Sequence, residues 1–192
     1  MKALILFLLL LTVLFSNSAV DVSQSQEVKA QGTPLPIVQL GPRRSGPHTS
    51  YIANSGFPDR RRMVIRDRPT WAEVWRQMHS GNVSFSYSGP GSEPVISVPP
   101  PLPEIDFFRN MVLVVTMGSE PTGGYAIVID GVYERANQLE VVVRNISPGR
   151  NCFTFPAATR PADIVELVRR EGSVVFRDID TVTDCSQTQP DP

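Results

Sequence analysis

Three closely spaced runs of β-branched and aromatic residues constrain the fold of this 192-residue chain more than any other feature. Val, Ile and Tyr lose side-chain freedom in a helix but fit a pleated sheet, so each run predicts a β-strand. The predicted strands are Met111–Thr116, Tyr125–Tyr133 and Leu139–Ile146. Because short polar segments separate them, the sequence predicts a β-meander at the centre of the domain.

The connection between the first two strands holds proline beside a glycine pair, a composition that excludes regular structure. It consists of Glu120, Pro121, Thr122, Gly123 and Gly124, followed by Tyr125 at the start of the next strand. Two interpretations stay open. In one, the glycines only permit the turn and Tyr125 enters the core. In the other, the rigid loop presents its main chain to another protein, since loops held on sheets often carry binding.

One helix is predicted upstream of these strands. Thr70 and Glu73 fit a capping box, which places the N-cap at Thr70, and Gly81 is expected to end the helix. Apolar residues at i, i+3, i+4 and i+7 form one stripe, which predicts packing on a sheet. The stripe consists of Trp71, Val74, Trp75 and Met78.

The remaining segments predict a short strand at Arg62–Arg66 and a final hairpin of Ile164–Val168 with Val174–Phe176. A short helix is the alternative for Ile164–Val168. A loop bracketed by prolines precedes that segment and leads into it through Arg160-Pro161. Together the elements predict a mainly β (α+β) fold, an antiparallel β-sandwich or partly open barrel with one packed amphipathic helix.

The N-terminal region predicts export. Residues 1–18 combine Lys2, an apolar core too short to span a bilayer comfortably and small residues at their end, as a signal peptide does; an uncleaved membrane anchor is the alternative. No cysteine follows the apolar core, which disfavours a lipid anchor. We therefore expect a secreted or periplasmic protein with no stable membrane anchor after cleavage.

Composition divides the rest of the chain. Residues 19–58 have few large apolar side chains and predict a flexible or extended arm, although Pro34–Leu40 can pair along a sheet edge. Residues 59–185 then form a single β-rich domain, and residues 186–192 a polar tail. The only cysteines, Cys152 and Cys185, predict one disulfide in an exported chain, with two free thiols as the alternative.

Several function classes lack support in the sequence. The net charge is -1 and the arginines are spread along the chain, so no nucleic-acid surface is expected. His48 and His79 stand alone, without a CxxC, a nucleophile elbow or a phosphate-binding loop nearby. We therefore expect that the protein binds no metal and no cofactor, has no catalytic residue and is not an enzyme.

From Gly118 onward the sequence resembles the C-terminal domain family of PrcB, a bacterial protease-complex subunit. The resemblance covers roughly residues 105–176. It is carried by the strand Val112–Thr116, Gly118, Thr122-Gly123-Gly124-Tyr125-Ala126-Ile127, a second strand ending in Pro148-Gly149, a cysteine-containing segment and Arg160-Pro161 before Ile164-Val165. It implies an exported bacterial protein that associates with a protease and has no assigned catalytic residues. The chain departs from that pattern because it lacks a lipobox cysteine.

A second likeness is to chagasin-type inhibitors of cysteine proteases, whose first loop reads Asn-Pro-Thr-Thr-Gly-Tyr/Phe. Glu120–Tyr125 matches four of those six positions. Arg160-Pro161 partly matches their later Arg-Pro-aromatic loop, but Ala162 replaces the aromatic residue and their third loop has no counterpart.

We therefore expect an exported, non-catalytic protein-interaction domain, and more specifically a protease-associated subunit. Its expected binding residues are Glu120, Pro121, Thr122, Gly123, Gly124, Tyr125, Arg160 and Pro161. The alternative is a direct inhibitor of papain-like cysteine proteases that uses the Pro121–Tyr125 and Arg160–Pro161 loops. An uncharacterised hydrolase that uses His79 is a third hypothesis.

Overall fold

The computed structural model describes residues 32–40, 52–80, 85–86, 95–96 and 99–185. The predicted signal peptide, much of the predicted arm, His48, Gly81 and the tail lie outside the described residues. Export and the division of the chain at residue 58 therefore stay predictions. Among the described residues, no helix is long and apolar enough to cross a bilayer.

The described residues form ten strands and one helix. They are β1 (Thr33–Leu35), β2 (Ile37–Gln39), β3 (Arg61–Ile65), α1 (Arg68–His79), β4 (Phe85–Ser86), β5 (Val95–Ile96), β6 (Asn110–Thr116), β7 (Ala126–Arg135), β8 (Gln138–Pro148), β9 (Ala162–Val168) and β10 (Ser173–Thr183). The strand predicted for Ile164–Val168 is thus correct, and the alternative helix is wrong.

Two four-stranded sheets pack face to face as a sandwich. Sheet A has the order β1-β7-β8-β10, and sheet B has the order β2-β9-β6-β3; β4 pairs only with β5. All pairings within the two sheets are antiparallel except that of β8 with β10, which is parallel. The sheets do not close into a barrel, so the sandwich is the correct one of the two predicted architectures.

Sheet B is buried on both faces. Its inner face packs on sheet A, and its outer face is covered by α1. For this reason the central strand β6 is apolar without alternation, and Met111–Val115 is fully buried. The side chains between the two sheets include Leu113 and Val115 of β6, Ile127 and Ile129 of β7, and Leu139, Val141 and Val143 of β8.

The helix packs with the predicted stripe, since Trp71, Val74, Trp75 and Met78 are all buried. The predicted N-cap at Thr70 is wrong. Asp67 caps the helix, and its carboxylate accepts a hydrogen bond from the Thr70 N–H at 2.8 Å. Proline in the first turn suits this earlier start because it needs no N–H donor there. Glu73 forms an ion pair with Arg76 on the helix surface.

Two predicted strand connections are wrong. β6 and β7 lie in different sheets, so the loop between them crosses the sandwich, and only β7 and β8 of the predicted meander pair as a hairpin. β9 and β10 also lie in different sheets, so the predicted final hairpin does not form. Apolar patterning indicates how deeply a strand is buried, but it does not specify the partner of that strand.

Part of the predicted arm belongs to the sandwich. β1 adds to the edge of sheet A and β2 to the edge of sheet B, as predicted for Pro34–Leu40. Ile52 and Phe57 are also buried beneath α1.

A polar cluster joins the other two edge strands, β3 and β10. Arg62 forms an ion pair with Asp178. The buried Asn145 of β8 donates hydrogen bonds to Asp178 at 3.1 Å and to Asp180 at 3.0 Å. Burial raises the pKa of Asp178, but the hydrogen bonds from Arg62 and Asn145 outweigh it and hold that pKa below its ordinary value. The cluster ties the two sheets together along this side.

Candidate protein-interaction site

The β6–β7 loop and the β8–β9 loop lie side by side at one end of the sandwich. Glu120 and Thr159 exchange two backbone hydrogen bonds, of 2.8 and 3.0 Å. The Gly123 N–H donates to the Phe155 carbonyl at 2.9 Å, and the Thr159 hydroxyl donates to the Thr122 carbonyl at 2.9 Å. The two loops thus form one unit, residues 118–125 with residues 149–161, which we call the tip.

Glycine is required at two positions of the first loop. Gly118 has φ +89 and lies against the backbone of residues 58–60, where the Ser119 N–H donates to the Pro58 carbonyl. Gly124 has φ +86, and a Cβ there would lie 3.1 Å from Pro148 Cβ and 3.2 Å from Thr154 Cγ2. The left-handed conformation disfavours any other residue at both positions.

The other residues of the first loop divide between exposed and packed positions. Pro121 is exposed, and Thr122 is half-buried. Tyr125 packs against the core between the sheets, as the first interpretation of this loop predicts. Glu120 is half-buried; burial raises the pKa of its carboxyl group, while the charge of Arg60 lowers it by less. The exposed residues of this loop are therefore Ser119, Pro121 and Gly124.

Arg160 and Pro161 lie beside the first loop but do not project from the tip. The Arg160 N–H donates to the Ala53 carbonyl at 3.0 Å, and its Nε donates to the Ser119 hydroxyl at 3.2 Å. Pro161 is buried, and its carbonyl accepts a hydrogen bond from the Met117 N–H at 2.9 Å. This pair holds the two loops together.

The most exposed apolar side chains of the tip were not among the predicted binding residues. Phe153 is 97% exposed and Phe155 is 72% exposed, and the exposed Pro156 follows them. Thr154, between the two phenylalanines, is half-buried against Gly124. The signal in the sequence is two aromatic residues at i and i+2 directly after Cys152, a predicted disulfide cysteine.

The predicted disulfide fixes this aromatic segment to the end of β10. Cys152 and Cys185 are joined, with their Cα atoms 5.1 Å apart. Next to it, Asn151 Nδ2 donates to the Asp184 carboxylate at 2.7 Å, and the Gly149 N–H donates to the Thr183 carbonyl at 3.0 Å. The segment is therefore held at its start by β10 and at Phe155 by the first loop.

The central strands and the tip are similar to a known protein family. Residues 111–167 match the family described as PrcB C-terminal. These strands and loops are therefore similar to the PrcB C-terminal family. The predicted resemblance is thereby confirmed over β6 to β9, a range that contains both loops of the tip. No curated protein and no solved structure matches the chain.

The histidine of the hydrolase hypothesis lies away from the tip. His79 lies on α1, outside residues 111–167, and is buried; its Nδ1 lies 2.9 Å from the Trp75 carbonyl, and its ring contacts that of Trp75 in a tilted arrangement with centroids 4.1 Å apart. Burial lowers the pKa of His79 despite that hydrogen bond and so favours the neutral imidazole. Within the described residues no cluster of three His, Cys, Asp or Glu side chains is placed to hold a metal ion.

Proposed function

We propose that this protein is an exported, non-catalytic interaction domain that associates with a protease, or with another protein of the same compartment, through its tip. The observation that carries the proposal is the pair of exposed phenylalanines, Phe153 and Phe155, on a segment that is otherwise held in place. Large exposed aromatic side chains on a fixed loop are typical of binding surfaces.

The expected binding energy is substantial. Transfer of two phenylalanine side chains from water into a protein pocket stabilises a complex by roughly 3–6 kcal/mol in total. A micromolar complex requires about 8 kcal/mol, so the two rings can supply a large share of it. Because the segment is already held by the disulfide and by Gly123, little loop entropy is lost on binding.

The family similarity and the disulfide support the proposed partner and compartment. PrcB is named for a subunit of a bacterial protease complex, which supports a protease as the partner. The Cys152–Cys185 disulfide is compatible with an oxidising compartment such as the periplasm or the cell exterior. Export, and with it the signal peptide of residues 1–18, is part of the proposal.

The test compares the tip with a chemically matched surface elsewhere. Phe108 is 98% exposed and precedes β6, whereas the tip follows that strand, so the two sites lie at opposite ends of it. Tagged full-length protein is used to capture secreted proteins, and the affinity of the purified captured protein is then measured by calorimetry. We expect the double variant Phe153→Ala and Phe155→Ala to bind at least about 100-fold more weakly, and Phe108→Ala to bind unchanged. Equal binding by all three proteins would refute the proposal.

Direct inhibition of papain-like proteases is the second candidate. It is supported by the side-by-side position of the Pro121–Tyr125 and Arg160–Pro161 loops, which such an inhibitor requires. The burial of Pro161 leaves Pro121 and Gly124 as the exposed part of that pair. Purified protein is tested against papain, and no inhibition at micromolar concentration excludes this candidate.

A further inference from the structure

The segment Cys152–Pro156 is arranged like a bound peptide. Exposure alternates along it, since Phe153 and Phe155 face solvent while Thr154 between them packs against Gly124. Such alternation is typical of an extended chain, in which side chains two residues apart lie on one face at a spacing of roughly 7 Å. The segment therefore presents two aromatic side chains in one direction.

The backbone of this segment is available for pairing at its centre. Within the part of the chain that the structure describes, no hydrogen bond involves the backbone N–H or C=O of Phe153 or Thr154. On either side the backbone is occupied: the Cys152 N–H donates to the Gly149 carbonyl, and the Phe155 carbonyl accepts from Gly123 and Ala157. Free backbone groups between two fixed points allow a partner strand to pair there without unfolding the loop.

Substrate clefts of endopeptidases recognise peptides by these two features, main-chain pairing and pockets for alternate side chains. In chymotrypsin the pocket for the residue before the cleaved bond is an apolar slot. Phe153, the more exposed of the two rings, is the side chain of the segment best placed to fill such a slot. No side chain of Cys152–Phe155 is basic; the two arginines of the tip are the exposed Arg150, two residues before the segment, and the half-buried Arg160, which is bonded to Ser119.

We propose that Cys152–Phe155 binds in the substrate cleft of an endopeptidase with an aromatic-specific pocket, with Phe153 in that pocket. This inference rests on the proposed function, because it specifies which partner the tip binds. It concerns binding only. The disulfide and the bonds to Gly123 hold the segment, which favours tight, slowly processed complexes of the kind that pre-organised inhibitors form.

The test uses α-chymotrypsin as the probe and the oxidised full chain as the inhibitor. We expect inhibition by the wild type, a loss of at least about 100-fold in inhibition with Phe153→Ala, and no change with Phe108→Ala. Phe153→Arg should lose inhibition of chymotrypsin and gain inhibition of trypsin, because the trypsin pocket carries an aspartate. All of these substitutions are at highly exposed positions, so the variants should fold.

Three outcomes would overturn the inference: no inhibition by wild-type protein in large molar excess, equal inhibition by Phe153→Ala, or hydrolysis of the segment at the rate of an ordinary peptide. These outcomes are separable from failure of the proposed function. If a captured partner requires Phe153 and Phe155 while chymotrypsin is not inhibited, the tip is an interaction site but not a substrate-like one. If neither binding depends on the tip, both proposals fail.

Discussion

The substitution Gly124→Ala tests whether the backbone conformation of Gly124, in the first loop of the tip, is strained for other residues and holds the second loop in place. At φ +86 an alanine costs roughly 1–2 kcal/mol relative to an ordinary conformation. Its Cβ would also lie 3.1 Å from Pro148 Cβ and 3.2 Å from Thr154 Cγ2, and crowding of this kind costs about 1 kcal/mol or more. The lower entropy of the unfolded alanine chain offsets about 0.5 kcal/mol. We expect a net loss of about 2 kcal/mol in the free energy of unfolding.

The neighbouring residue is the matched control. Gly123 has no positive φ, and a Cβ there would meet Phe155 at 3.6 Å, an ordinary contact. Gly123→Ala should therefore stay within about 0.5 kcal/mol of wild type. Urea denaturation followed by tryptophan fluorescence measures both variants, and an m-value of about 1–3 kcal/mol/M turns the expected loss into a midpoint shift of about 1 M.

Equal midpoints for the two variants would refute the reasoning, because only Gly124 is predicted to be strained. Displacement of Thr154 should also shift the segment that carries Phe153, so Gly124→Ala should weaken partner binding more than Gly123→Ala does.

Three further predictions concern the disulfide, the helix cap and the polar cluster. Replacement of both Cys152 and Cys185 by alanine opens a link with a sequence separation of 33, which lowers the free energy of unfolding by about 3–4 kcal/mol in urea denaturation; an unchanged midpoint would contradict this. Asp67→Ala should lower the melting temperature more than Glu73→Ala does, because Asp67 is the N-cap, and the reverse order would restore the predicted capping box. The pKa of Asp178 is lowered in the folded state, so its contribution to stability is complete above its ordinary value of 3.8 and is lost as the pH falls below it. Denaturation between about pH 6 and pH 2 should show a shallower acid loss for Asp178→Asn than for wild type, and parallel curves would exclude this role.

The existence of most elements could be predicted from the sequence because burial leaves a local pattern. The stripe that contains Trp71 and Met78 indicates the helix, and the β-branched runs indicate β6, β7 and β8. The pairing of those strands could not be predicted in the same way. β6 carries apolar residues on both faces because α1 covers sheet B, and this fact depends on segments distant in the sequence.

The tip shows the same limit. Gly124 and Pro121 identify the first loop as a turn, because glycine and proline act through local backbone geometry. The exposure of Phe153 and Phe155 depends instead on how the disulfide and the first loop hold the second one. Phenylalanine is usually buried, so two exposed rings become evident only once the three-dimensional arrangement is known.

The most direct test of the central claim is site-specific photo-crosslinking. A photoreactive phenylalanine analogue replaces Phe153 in one sample and Phe108 in another, and the crosslinked proteins are identified after irradiation in the presence of secreted proteins. If the tip is the binding surface, position 153 crosslinks one specific protein, with a protease or a protease-complex component expected, and position 108 does not. Crosslinks of that same protein from position 108 alone would contradict the account.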